Sequence, residues 1–198
     1  MINNATDSTD SNVCSYCGSV GQIEMEDSDE PRIYVACLAA YVNGKLYGKW
    51  IDADQDPDDI FKEIKEMLKE SPEPDAEEWA IHDYEEFGGF EPKELESIED
   101  VAEMARLTAE FGEAIGLFYM HDQYDLDDLE TRFEDAHEGH WDSEVEYAEY
   151  VFDEMYLSDV PENIQCYIDY ESFANDLFMD DCFSLDADGG GVHVFRNI

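Results

Sequence analysis

Residues 33–69 read IYVACLAAYVNGKLYGKWIDADQDPDDIFKEIKEMLK, two apolar runs joined by a turn signal and followed by a helix. Ile33 to Val42 is unbroken in apolar character, and Lys45 to Ile51 is again strand-like. Asn-Gly at 43 and 44 is the strongest short-range hairpin signal. Beyond them Asp56 suits a helix N-cap and Pro57 a first helical position. Ile60, Phe61, Ile64, Met67 and Leu68 then fall on one face. Lys62, Lys65 and Lys69 alternate with acids on the other, as on an ordinary salt-bridged helix. After the Pro72/Pro74 break, Glu78 to Asp83 makes a third strand, and Gly88-Gly89 closes a small antiparallel sheet with one helix.

Toward the N-terminus, residues 1–31 are rich in Ser, Asn, Asp and Gly without apolar period, which predicts a tail. Toward the C-terminus the chain turns helical. Ser97-Ile98-Glu99-Asp100 is a capping-box-like start for a helix to about Phe111, with Val101, Met104, Ala105, Thr108 and Phe111 inward. Leu126, Leu129, Phe133 and Ala136 recur at helical spacing, and so do Val145, Ala148, Phe152 and Met155 behind Ser143/Glu146. The middle is therefore expected to be all helix. Pro161 opens another helical stretch, Asp169 caps the next, and Tyr170, Phe173, Ala174 and Leu177 form its buried stripe. Cys182 to Leu185 and Val192 to Phe195 predict a closing hairpin. The fold class is α+β in three small modules: a tail at 1–31, an N-terminal α+β module at 32–92, a central helical module at 93–140, and C-terminal helices with a β-hairpin at 141–198.

Charge narrows the function. Fifty-three acidic against ten basic side chains leave a formal net charge of −43, while 43% of residues are hydrophobic and 13% aromatic. That is ample core material, so the chain folds with its carboxylates outside, unlike a disordered acidic tail. Such a field repels nucleic acid and anionic membrane and draws in basic surfaces. No run approaches the roughly 20 apolar residues of a membrane helix, and Met1-Ile2-Asn3-Asn4 is no signal peptide; a cytoplasmic location is expected. Cys37, Cys166 and Cys182, isolated in apolar surroundings, read as reduced core thiols.

The acids are patterned. Asp127, Glu130, Glu134 and Glu138 form the outer stripe of one helix, and Glu146, Glu149 and Asp153 that of the next. Carboxylates three or four positions apart lie about 4.5 to 6 Å apart along a helix axis, against one charge per roughly 1.7 Å of DNA duplex. Several stripes side by side reach a comparable density. From Phe133 to Phe195 there is no Lys or Arg, where solvated faces normally interleave both signs. Excluding cations over such a length costs stability by repulsion, which points to selection for the field itself. A halophile surface is the rival explanation; it would lose structure without molar salt.

Chemical motifs fail one by one. Asp52, Asp54, Asp56 and Glu63 match calcium-loop positions, but Pro57 stands where glycine is needed, and a helix cap explains the residues better. Cys14 and Cys17 resemble half a zinc knuckle with no second pair, which favours a metal-free tail, zinc shared between two tails being the alternative. His137 and His140 near Glu134 and Glu138 are chance neighbours in so acidic a chain, so neither metal nor other cofactor is expected. No nucleophile elbow, P-loop, dinucleotide fingerprint or zinc-protease motif occurs. The sequence reads as non-enzymatic.

The stretch VPENIQCYIDYESFANDL at 160–177 resembles the C-terminal signature of the ArdA antirestriction family. Ile33-Tyr34-Val35, Gly48-Lys49-Trp50 and Asp83-Tyr84 resemble its N-terminal module, so the resemblance covers about Arg32 to Ile198. It implies an elongated acidic homodimer, encoded on mobile elements, that mimics DNA and occupies the DNA-binding groove of type I restriction-modification enzymes. It also implies that Val160, Pro161, Glu162, Ile164, Tyr167, Ile168, Asp169 and Tyr170 belong to the antirestriction motif and dimer region. Two chains of −43 each match at most roughly 43 base pairs of duplex charge. The alternative is an acidic protein that binds another basic partner, such as a histone-like factor.

Overall fold

A computed structural model describes residues 30–122 and 125–198, so the expected tail and the Cys14/Cys17 pair lie outside the described residues. The fold is mixed α+β, with two antiparallel three-stranded sheets, one near each end of the chain, and eight α-helices among the described residues.

The N-terminal sheet has the order β2-β1-β3, from β1 (Arg32–Cys37), β2 (Gly48–Asp52) and β3 (Trp79–Glu85). Ile33 pairs with Ile51 and Val35 with Ile81, so one face carries buried aliphatics toward the core. The expected tight Asn-Gly hairpin is corrected. After Cys37 the chain turns once as α1 (Leu38–Val42); Asn43 is its C-cap and Gly44 sits at φ +74°. The alanines and leucine of the run favour helix over a longer strand. As expected, α2 (Pro57–Lys69) is capped by Asp56, which accepts the Asp58 N–H at 2.9 Å, and buries Ile60, Ile64 and Met67.

Ser97 caps α3 (Ile98–Phe111) and Asp125 caps α5 (Leu126–Ala136), each accepting an N–H of the first turn. Between them lies α4 (Glu113–Asp122), which periodicity did not single out. It is apolar around most of its surface because it is enclosed: Ala114, Ile115 and Phe118 are buried, and Gly116 meets the turn at Gly88-Gly89. A Cβ on Gly116 would stand 2.8 Å from the Phe90 nitrogen, so this helix-to-turn approach requires glycine.

The middle is not all helix. β4 (His137–Trp141) pairs antiparallel with β6 (Val192–Arg196), which also pairs with β5 (Cys182–Asp186) to give the order β4-β6-β5. Its strand state comes from a partner some fifty residues away, not from local pattern. Side chains alternate across β6 and β5. Phe195 and Phe183 face α4 and α5, where Phe118 stacks on Phe195 at 5.0 Å. Val194 and Cys182 face the other way, into a smaller core under α6 (Glu144–Met155) and α8 (Tyr170–Asp180). The larger core is continuous from Ile33 to Phe195.

Three further expectations change. In α6 Tyr147 and Ala148 are buried while Val145 and Met155 are exposed, because Trp141 and Phe178 pack against Tyr147 and set the rotation. In the Asp169-capped α8 only Ala174 is fully buried; Tyr170, Phe173 and Leu177 are half-buried. Cys166, read as a core thiol, is exposed at the end of the single-turn α7 (Glu162–Gln165).

Candidate functional site

From Asp142 to Asp181 there are thirteen carboxylates and no lysine or arginine, and all thirteen are exposed. The elements explain why. α6 and α8 lie on the outer face of the C-terminal sheet and bury only narrow seams against the small core. Most of the remaining positions of both helices face water, and carboxylates are the commonest residues there, among exposed Val145, Tyr150, Met155 and Met179.

The seven acids singled out by periodicity divide in two. Asp127, Glu134, Glu146, Glu149 and Asp153 are exposed. Two of these also hold local structure: Glu146 accepts the Asp142 N–H at 2.8 Å, and Asp153 accepts the Tyr170 hydroxyl at 2.9 Å. Glu130 and Glu138 differ. Glu130 accepts from Arg106 at 2.6 Å, and that guanidinium also reaches Glu103 and Glu110. Its hydrogen bonds to Glu103 and Glu130 raise the Arg106 pKa further above its ordinary value. Glu138 lies on β4 and not on the helix stripe, because the helix ends at Ala136; it pairs with Arg196 at 2.5 Å. Both acids are thus partly neutralised by arginines on other elements.

The segment from Val160 to Tyr170 presents a different surface. Ile164 and Tyr167 are 45% and 81% exposed, and Pro161, Glu162 and Asp169 are also exposed, while Val160, Ile168 and Tyr170 are half-buried. Asp169 is held by the Ser172 N–H at 3.0 Å, which lowers its pKa. Tyr156, a few residues earlier in the chain, is exposed as well. Uncovered aromatic and aliphatic side chains gathered in one stretch mark a protein contact more often than bare solvent exposure.

Among the described residues no cluster of three or more His, Cys, Asp or Glu could hold a metal ion. His137 Nε2 and His193 Nδ1 share a hydrogen bond at 3.3 Å, and His193 Nε2 faces Glu113 at 3.3 Å. Burial between Phe133 and Phe195, then the neighbouring His193, pushes the His137 pKa down to about 4. His140 contacts the Gly190 carbonyl oxygen at 2.9 Å. These are packing and loop contacts.

Among the described residues no helix is long and apolar enough to cross a membrane. Residues 33–190 match a family model described as antirestriction protein (ArdA). No curated protein matches the chain.

Proposed function

The chain belongs to the ArdA antirestriction family, whose non-enzymatic members inhibit type I restriction-modification systems, and from that premise we propose that it inhibits by imitating DNA inside the target's DNA-binding groove. The observation that carries the reading is the run of thirteen exposed carboxylates from Asp142 to Asp181 without one cation. A groove built for phosphate presents Lys and Arg, and a fixed array of carboxylates meets them as a duplex backbone does. Long-range attraction also raises the rate of encounter.

The reading includes a homodimer formed through Val160 to Tyr170. Exposed Ile164 and Tyr167, with Tyr156 nearby in sequence, supply the apolar area that such a contact needs. Asp127, Glu134, Glu146, Glu149 and Asp153 are the acids assigned to the target-facing surface, with Glu130 and Glu138 held back by their arginines. The site of action is the cytoplasm, where the target works.

Competition tests this directly. The purified chain should displace DNA from a type I restriction-modification complex, and its apparent affinity should fall steeply with salt. Inhibition that leaves DNA bound to the complex would refute mimicry.

A further inference from the structure

Between α6 and α8, at the end of the C-terminal sheet, lies a cleft of about 560 Å³, within the range of small-ligand pockets. Tyr147 and Cys182, both buried, form its floor. Val151 and Leu177 line its walls, and Tyr150 and Met155 stand at its mouth, half or more exposed.

Its charged groups are Glu138, Glu154, Asp181 and Arg196. Arg196 closes one end by pairing with Glu138 at 2.5 Å and donating to the Asp135 carbonyl oxygen at 2.8 Å. Glu154 and Asp181 form no ion pair among the described residues. Both are also badly placed for their own helices. Glu154 lies in the last turn of α6 and Asp181 is the C-cap of α8, neither helix having a basic residue in its last turn. A helix C-terminus carries partial negative charge, so each carboxylate is repelled where a cation would be stabilised. An apolar cleft flanked by two such helix ends is complementary to a cation on a long aliphatic stem.

We infer that this cleft is a docking site for an arginine side chain of a basic protein partner. The stem packs on Val151, Leu177 and Met155, the planar guanidinium stacks on the Tyr150 ring, and Glu154 and Asp181 accept its N–H groups. Arginine is favoured over lysine because its plane matches an aromatic face and its fork can serve two carboxylates. The inference rests on the DNA-mimic reading for the partner's identity and deepens it: besides a distributed field, the surface has one anchoring pocket.

Two measurements on the full chain separate the ideas. First, the peptide acetyl-Gly-Arg-Gly-amide, with lysine and citrulline counterparts, is titrated while NMR follows Tyr150, Val151 and Leu177. The arginine peptide should shift these signals saturably, the citrulline peptide should not, and the double variant Glu154→Gln/Asp181→Asn should weaken binding at least ~10-fold. Second, that variant should lose at least ~50-fold in DNA competition against a type I enzyme, while Glu171→Gln/Asp176→Asn, the same charge change outside the cleft, should lose ~5-fold. Circular dichroism confirms that both variants fold.

No saturable shift, equal losses from the two variants, or equal binding of the lysine peptide overturns the assignment. So does a shift of the same signals on raising protein concentration alone, which would make a second copy the occupant. A parent chain that binds the arginine peptide but never displaces DNA keeps the cleft and removes the DNA-mimic reading. Displacement of DNA without any arginine-peptide effect does the reverse.

Discussion

Neutralising Glu134, Glu146, Glu149 and Asp153 together, as Glu→Gln and Asp→Asn, should weaken DNA competition about 30-fold at 0.15 M salt and leave the fold intact. These four are exposed. Glu130 and Glu138 are left out because Arg106 and Arg196 already hold them. A carboxylate and a cation about 4 Å apart in water attract by about 1 kcal/mol. Screening over a length of about 8 Å and the mobility of long side chains cut this to about half. Four such losses total about 2 kcal/mol, a factor of about 30. The substitutions keep the side-chain oxygens that accept from Asp142 and Tyr170, so the local hydrogen bonds survive. The assay is displacement of labelled DNA from a type I complex at several salt concentrations, with circular dichroism as the folding control. The slope of log affinity against log salt should flatten by about 3 to 4. A folded variant that competes within twofold of its parent, with the same slope, would show that α5 and α6 do not face the target.

Replacing Glu149 alone by Gln should cost about twofold in competition, because one charge among many contributes little to a distributed field; a loss of a hundredfold would mark a discrete contact instead. Tyr167→Asp, at an 81% exposed site, should shift sedimentation at micromolar concentration from dimer to monomer without change in circular dichroism; an unaltered dimer would move the interface elsewhere. Arg106→Ala leaves Glu103, Glu110 and Glu130 facing one another and should cost about 1 kcal/mol in urea unfolding after allowance for solvent screening, with the loss shrinking at high salt. His137, whose folded pKa is about 4 against about 6.5 when unfolded, binds a proton more readily in the unfolded chain. Its contribution is therefore present above pH 6.5 and is lost as pH falls toward 4. With the half-buried ring discounted for screening, the chain should lose about 1 kcal/mol by pH 5 relative to His137→Phe; parallel unfolding curves for the two would refute the burial argument.

Local chemistry made some elements legible and long-range pairing hid others. Asp56, Ser97, Ser143 and Asp169 each accept a first-turn N–H, and each was readable because a cap needs only its own neighbours. β4 was not readable: His137-Glu138-Gly139-His140-Trp141 has no alternation, and its hydrogen bonds belong to β6. The enclosed α4 gives almost no helical asymmetry to detect. The rotation of α6 turned on Trp141 and Phe178 gripping Tyr147, contacts that spacing within the helix does not encode. The acid stripes were legible as period. Their partial neutralisation was not, since Arg106 and Arg196 arrive from α3 and β6.

The placement of the ten basic residues explains how so charged a chain can fold and still project its field. Nine of them precede Phe133, where Arg32 binds Glu85 at 2.5 Å, Lys45 binds Glu73 at 2.6 Å, and Lys49 binds Glu63. There cations join strands and helices that would otherwise repel. The C-terminal region receives only Arg196, and its cohesion comes from rings instead: Phe118, Phe133, Phe183 and Phe195 pack on one face of the sheet, Trp141, Tyr147 and Phe178 on the other. Aromatic burial is unaffected by the sign of the surface, so this region tolerates unrelieved negative charge that ion pairing would have cancelled. Adding lysines opposite Glu149 or Glu171 would stabilise the monomer by relieving repulsion, yet it would erase the one-sign surface that a phosphate-binding groove can read.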